Sequence, residues 1–130
     1  MDTEDRSDIE YYTSEQLKGL PFSAAVRVGK MLYLSGQIGI DGSGKLVTGG
    51  ISAETRQTME NIRAALEQYG SSLDHVVKVT VMLADIGEWS EMNKVYVTYF
   101  DKHLPARSAL GANGLALDAR VEIECVAVLK

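Results

Sequence analysis

The hydrophobic period of this chain changes from two residues to 3.6 and back to two, and that change limits what it can fold into. Between residues 52 and 69, apolar side chains recur at steps of three and four, which predicts one long amphipathic helix. Ser52 suits the N-cap of that helix, and Gly70 suits its end. The chain on either side alternates with period two, which predicts β-strands.

Shorter patterns predict the remaining elements. They are two short strands within residues 24–34, a strand over 75–83, a second helix capped by Asp85, and closing strands that begin near Arg107 and at Arg120. The order is then strand, strand, helix, strand, helix, strand, strand. Such an order predicts an α+β domain in which two helices pack on one face of a mixed β-sheet.

The composition favours one globular domain that stays in the cytoplasm. With 130 residues, 45% of them hydrophobic, the chain can bury one core, so we expect a single domain over residues 1–130. Residues 1–8 are polar and rich in acidic side chains, and we expect them to be disordered. No apolar run reaches the roughly 18 residues that cross a bilayer, and the N-terminus has no signal pattern. The single cysteine, Cys125, suits a reducing compartment.

Charge and sheet pattern indicate which partners to expect. The net charge of −5, with scattered basic residues, argues against a nucleic-acid partner. Two helices cover only one face of the sheet, and the pattern places Val76, Met82, Val126 and Val128 on the other face. An apolar open face is best buried against other copies of the chain, so we expect a homo-oligomer.

Two glutamates on the final strand are the most informative residues for chemistry. Glu122 and Glu124 share a strand face with two valines, although glutamate is disfavoured in strands. A partly desolvated carboxylate beside a cation is a candidate general acid–base. If the last two strands form a hairpin, Arg107 lies opposite Glu124 and diagonal to Glu122. The alternative interpretation is a surface ion pair worth about 0–1 kcal/mol.

Other reactive side chains have structural interpretations. Cys125 lies on the apolar side of the last strand and is expected to pack in the core. His75 and His103 lack neighbouring cysteine or acidic ligands, so no metal site is predicted. The aromatic residues at 89, 96 and 99 follow helical spacing and are interpreted as core residues.

Four short segments, in this order, resemble the Rid/YjgF family of reactive intermediate deaminases, also described as the endoribonuclease L-PSP family. They are Ser35-Gly36-Gln37-Ile38, Asn93-Lys94-Val95-Tyr96, Pro105-Ala106-Arg107-Ser108 and Val121-Glu122-Ile123-Glu124. The resemblance runs from about Pro21 to Val128. No single segment is specific, and their order and spacing carry the resemblance.

The resemblance implies a chorismate-mutase-like fold and a homotrimer with three clefts between subunits. It implies hydrolysis of 2-imino acids and their enamine tautomers, such as 2-aminoacrylate, to 2-oxo acids and ammonia, with neither metal nor organic cofactor. By position, Arg107 would bind the substrate carboxylate and Glu122 would activate water. Asn93, Ser35 and Gly36 would line the cleft.

Two residues of the predicted cleft depart from the family pattern. Phe22 stands where better-known members have tyrosine, and Ala109 stands where they often have cysteine. These departures leave a second hypothesis open, a non-catalytic trimer that binds small carboxylates as a sensor or a chaperone-like partner. A ribonuclease activity, described for some relatives, is disfavoured by the acidic composition.

Overall fold

Residues 8–130 are described by a computed structural model, in which strands and helices follow each other largely as the sequence pattern predicts. The long elements are β1 (Ile9–Tyr12), β2 (Ala25–Val28), β3 (Met31–Gln37), α1 (Gly50–Gln68), β4 (Val76–Leu83), α2 (Trp89–Tyr96), β5 (Ala106–Gly111) and β6 (Val121–Val128). The predicted α+β class, with two helices and one mixed sheet, is confirmed for this part of the chain. The predicted disorder of residues 1–8 concerns a segment that, apart from Asp8, lies outside the described residues.

The six strands of the described residues form one sheet in the order β1-β2-β3-β6-β4-β5. Only β4 and β5 run parallel, and all other neighbours are antiparallel. Strand β1 is missing from the sequence prediction because it has four residues, two of them exposed, and no clear alternation. It is fixed by pairing with β2 and by Tyr12, whose ring stacks on Tyr69 at 4.6 Å between centroids.

The hydrophobic core lies between one face of the sheet and the two helices. Helix α1 contributes the predicted stripe, in which Met59, Ile62 and Leu66 are fully buried. The sheet contributes alternate residues of its central strands, among them Leu32, Leu34, Val79, Val81, Val121, Ile123, Cys125 and Ala127. The prediction that Cys125 packs in the core is therefore confirmed.

Two predicted details, the start of helix α1 and the alternation along β4, are wrong. Helix α1 begins at Gly50 and not at Ser52, because Gly49 adopts the left-handed conformation (φ 115°) and starts the helix earlier. In β4 the register with β6 shifts between Val76 and Lys78. This irregularity turns Val76 into the core and leaves Val77 exposed, the reverse of strict alternation.

The predicted hairpin of the last two strands is also wrong. Strand β4 lies between β5 and β6, so Arg107 pairs with Val79, and Glu124 pairs with Thr80 on the other side of β4. The connection from Gly111 to Val121 is too long and irregular for a tight hairpin, and it lets β6 enter the centre of the sheet.

The second face of the sheet is uncovered within residues 8–130. Tyr33 and Leu110 are each 46% exposed on this open face, and Met82, Val126 and Val128 are half-buried there. The open face therefore presents apolar side chains to its surroundings, as the sequence predicts. None of the described helices is long and apolar enough to span a membrane.

Candidate active site

Arg107 lies on the edge strand β5 and faces the second helix. Its register partner Val79 is a core residue, so the arginine side chain starts on the helix-covered face of the sheet. The guanidinium carbon lies 4.8 Å from the ring centroid of Tyr96 and 5.7 Å from that of Trp89. It makes no ion pair with any carboxylate of residues 8–130. Arg107 is thus a cation held on aromatic rings and open to an anion.

A cavity of about 300 Å³ surrounds this arginine. Its lining consists of Trp89, Asn93, Tyr96, Val97, Leu104, Pro105 and Arg107. The Asn93 Oδ1 and Tyr96 hydroxyl are buried and have no hydrogen-bond partner within the described residues. Burial raises the pKa of Tyr96 to about 12, so its hydroxyl stays protonated at neutral pH. The cavity therefore combines one cation and two unsatisfied polar groups with apolar walls.

Ala109 follows Arg107 on the same side of β5 and is half-buried beside Val81. Its methyl group adds apolar surface near the arginine and offers neither a thiol nor a hydroxyl.

Glu122 lies on the opposite, open face of the sheet. Its neighbours Val121 and Ile123 are fully buried under the helices, so the glutamate side chain points the other way. Gly36 makes room for it, since a Cβ at position 36 would overlap the Glu122 oxygen Oε2. Burial, assisted by the nearby charge of Glu124, raises the pKa of Glu122. Such a carboxylate is a stronger base than one in water.

Ser35 precedes Gly36 on β3 and binds the segment that carries Phe22. The Ser35 hydroxyl donates to the carbonyl oxygen of Ser23 at 2.6 Å, which fixes the segment that carries Phe22. Phe22 itself is 49% exposed. The pairing of β3 with β6 is irregular between Leu34 and Gln37, and Gly36 within this bulge lies against Glu122.

The predicted site residues thus fall into two groups on different surfaces. Arg107, Asn93 and Ala109 form an arginine half, and Glu122, Gly36, Ser35 and Phe22 form a glutamate half. Strand pairing puts Arg107 and Glu122 two strands apart and about three residues out of line, on the order of 14 Å between their Cα atoms. Their side chains also leave opposite faces of the sheet. One chain therefore does not bring the two halves together.

A larger cavity, of about 410 Å³, lies where β4 and β5 begin and contains none of the predicted site residues. His75 and His103 line it, and both are engaged locally: His75 Nδ1 with the Ser72 hydroxyl at 2.8 Å, and His103 Nε2 with the Asp74 carbonyl oxygen at 2.8 Å. Within residues 8–130, no group of three His, Cys, Asp or Glu side chains has the arrangement of a metal site.

The sequence prediction missed the wall of the arginine cavity. Trp89 was expected in the core, yet it is 44% exposed and contacts Arg107 instead. A signal was present, because Trp89 and Tyr96 lie seven residues apart and flank Asn93, which places all three on one helical face. Val97 and Leu104 gave no comparable signal.

Comparison with known proteins supports the resemblance seen in the sequence. The Endoribonuclease L-PSP family model matches residues 14–129. A mouse protein named 2-iminobutanoate/2-iminopropanoate deaminase is 44% identical over 109 residues, which cover 83% of this chain and 81% of the mouse protein.

Solved structures agree with the sequence match. RidA from an Antarctic Psychrobacter has a TM-score of 0.82 at 34% identity, covering 94% of this chain and 98% of its own. Escherichia coli TdcF with bound serine has a TM-score of 0.79 at 31% identity, covering 85% of this chain and 89% of its own. The match over nearly the whole described chain shows that this protein belongs to the endoribonuclease L-PSP family, that is, the Rid/YjgF family.

Proposed function

We propose that this protein hydrolyses reactive 2-imino acids and their enamine tautomers, such as 2-iminobutyrate and 2-aminoacrylate, to 2-oxo acids and ammonia. The observation that carries the proposal is Arg107, a cation without a carboxylate partner among the described residues, set in an aromatic cavity. The name of the mouse relative, a 2-iminobutanoate/2-iminopropanoate deaminase, agrees with this chemistry.

Arg107 binds the substrate carboxylate in this proposal. A guanidinium presents parallel N–H donors that match the two oxygens of a carboxylate. The Tyr96 and Trp89 rings hold the planar group, so less freedom is lost when the substrate binds. The serine bound to Escherichia coli TdcF also carries a carboxylate, which supports an anion site in this fold.

Glu122 acts as the general base and then as the general acid. It takes a proton from water while the water oxygen bonds to the imine carbon, and the C=N electron pair moves to nitrogen. Glu122 returns this proton to the nitrogen, which gives a carbinolamine. The carbinolamine hydroxyl then passes its proton to the nitrogen by way of Glu122, the C–N bond breaks with loss of ammonia, and the oxygen forms the C=O of the 2-oxo acid. A base whose pKa is raised above the usual value of a carboxyl group suits both proton transfers. One general acid–base group accelerates a reaction by about 10²–10⁴-fold.

The complete site then consists of Arg107 from one copy and Glu122 from another. The two halves lie on different surfaces, so we propose a head-to-tail contact, which forms a closed ring when the rotation between copies divides a full turn. We propose the trimer that the family resemblance implies, with three clefts. The apolar open face, with Tyr33 and Leu110, would be buried between the copies.

A second candidate function is binding without catalysis. It is favoured by Phe22 and Ala109, which supply neither the hydroxyl nor the thiol that the family pattern has in this cleft. In that case the arginine half would hold a small carboxylate, and Glu122 would serve only to shape the cleft.

The test is hydrolysis of 2-iminobutyrate, generated in the cuvette by a threonine dehydratase, with wild type and the Arg107→Ala variant. We expect the wild type to accelerate 2-oxobutyrate release and the variant to have little effect. Equal acceleration by both proteins would remove Arg107 from the mechanism. Tight binding of 2-oxobutyrate without acceleration of several imino acids would favour the binding function instead.

A further inference from the structure

The arginine cavity has an apolar wall that the proposed chemistry does not use. Trp89, Val97 and Leu104 form this wall, and their side chains are 44%, 48% and 63% exposed. Trp89, Asn93 and Val97 follow each other at steps of four residues along α2 and the short 3₁₀ helix (Val97–Tyr99) that continues it. They therefore lie on one helical face and line the same cavity. A contiguous group of exposed apolar side chains that lines a cavity beside a cation is typical of a ligand-binding site.

We infer that this wall receives the side chain of the substrate, and that the preferred substrates are 2-imino acids with branched or aromatic side chains. This inference rests on the proposed function, because it takes Arg107 as the anchor of the carboxylate. In a 2-imino acid the side chain is bonded to the carbon next to the carboxylate. A carboxylate held at Arg107 therefore brings the side chain to the cavity lining.

The size of the cavity agrees with such a substrate. An apolar cavity of roughly 150 Å³ is enough to hold benzene. The cavity here is about 300 Å³, so an isobutyl or benzyl group fits together with the carboxylate. A methyl group would leave most of the wall uncovered.

The chemistry of the lining also favours apolar over polar substrate side chains. Its polar side chains are Asn93, Tyr96 and Arg107, and the remaining members are apolar. A charged or strongly polar substrate side chain would lose hydration against Trp89 and Val97 without gaining a partner there. Each buried methylene group should instead raise kcat/KM roughly fourfold, the factor that corresponds to about 0.8 kcal/mol.

The experiment compares imino acids formed by an L-amino acid oxidase from leucine, phenylalanine and alanine. The leucine side chain has three more carbons than that of alanine, so we expect kcat/KM for the leucine-derived and phenylalanine-derived imines to exceed that for the alanine-derived imine roughly 60-fold or more. Val97→Ser and Leu104→Ser should each lower this ratio severalfold. Ile86→Ser is the control, because Ile86 is 51% exposed but does not line the cavity, and it should leave the ratio unchanged.

Three results with these imines and variants would overturn the inference. They are equal kcat/KM for all imines, a loss in Val97→Ser that is the same for all imines, and dissociation of that variant, which would show that another copy covers the wall. Calorimetric binding of 4-methyl-2-oxopentanoate and pyruvate separates this inference from the proposed function. Preference for the larger oxo acid without turnover of any imine would refute the deaminase activity and keep the side-chain site. Equal binding of the two would refute the side-chain site.

Discussion

Arg107 and Glu122 leave opposite faces of the same sheet, with strand β4 between the strands that carry them. The arginine lies under α2 against aromatic rings, and the glutamate lies over Gly36 on the open face. A small substrate that touches both must therefore lie between two copies of the chain. This relationship makes assembly a requirement of the proposed activity.

The first prediction concerns assembly. Light scattering should give a mass about three times the chain mass of 14.2 kDa, as the proposed ring requires. Val126→Lys puts a charge on the half-buried open face and should yield inactive monomers. Leu117→Lys, at a side chain 67% exposed in the turn before β6, should stay assembled. Full activity in a monomeric wild type would contradict the two-copy site.

Gly36→Ala should inactivate the protein without unfolding it. The new Cβ would overlap the Glu122 carboxylate, which is the flexible end of its side chain and can move aside. We expect the melting temperature to change little and kcat to fall about 10²–10⁴-fold, the contribution of a general base. Gly42→Ala is the matched control, because a Cβ there meets nothing within 4 Å. Unchanged kcat in Gly36→Ala would argue that Glu122 is not the base.

Arg107→Ala should weaken capture of the substrate. Loss of a partly desolvated charge pair costs about 2–5 kcal/mol, which corresponds to roughly 30-fold to several thousandfold in kcat/KM. Arg63→Ala is a fitting control, since Arg63 also lies over a tyrosine ring, that of Tyr99, at 5.1 Å but outside the cavity. If both variants lose activity equally, the effect is structural and does not come from anion binding.

The pH dependence of kcat/KM should show the influence of Glu124. Glu122 works as a base only when ionised, so activity falls as pH drops through its pKa. Within one chain, burial and the charge of Glu124 raise that pKa, so the charge of Glu124 shifts the acid limb to higher pH. Glu124→Gln removes the repulsion and should move the limb to lower pH, whereas Glu67→Gln, on the exposed side of α1, should not. If the acid limb of Glu124→Gln lies at the same pH as that of the wild type, the charge of Glu124 does not affect the pKa of Glu122.

Much of the fold could be predicted from local patterns. The helix stripe with Met59, Ile62 and Leu66, the order of the later elements and the burial of Cys125 all follow from periodicity. Strand pairing did not, because alternation says which residues share a face but not which strand lies between two others. The long irregular connection before β6 lets β6 pair with β3 and β4, so β4 lies between the strands that carry Arg107 and Glu122.

Candidate site residues could be named from the sequence, but their arrangement in space could not. The motif segments supplied Arg107, Glu122 and Gly36, and the structure gives each a definite environment. The exposed wall at Trp89 was hidden because helical spacing looks the same for a core stripe and for a stripe that lines a cavity.

The most direct test of the two-copy site is a mixing experiment. Arg107→Ala and Glu122→Gln, each inactive alone, are co-expressed in equal amounts and assayed with 2-iminobutyrate. If each site takes its arginine from one copy and its glutamate from another, random assembly restores about one quarter of the wild-type activity, because half of the copies supply each intact residue. Mixed assemblies that remain inactive, although mass spectrometry shows both chains in them, would contradict the account.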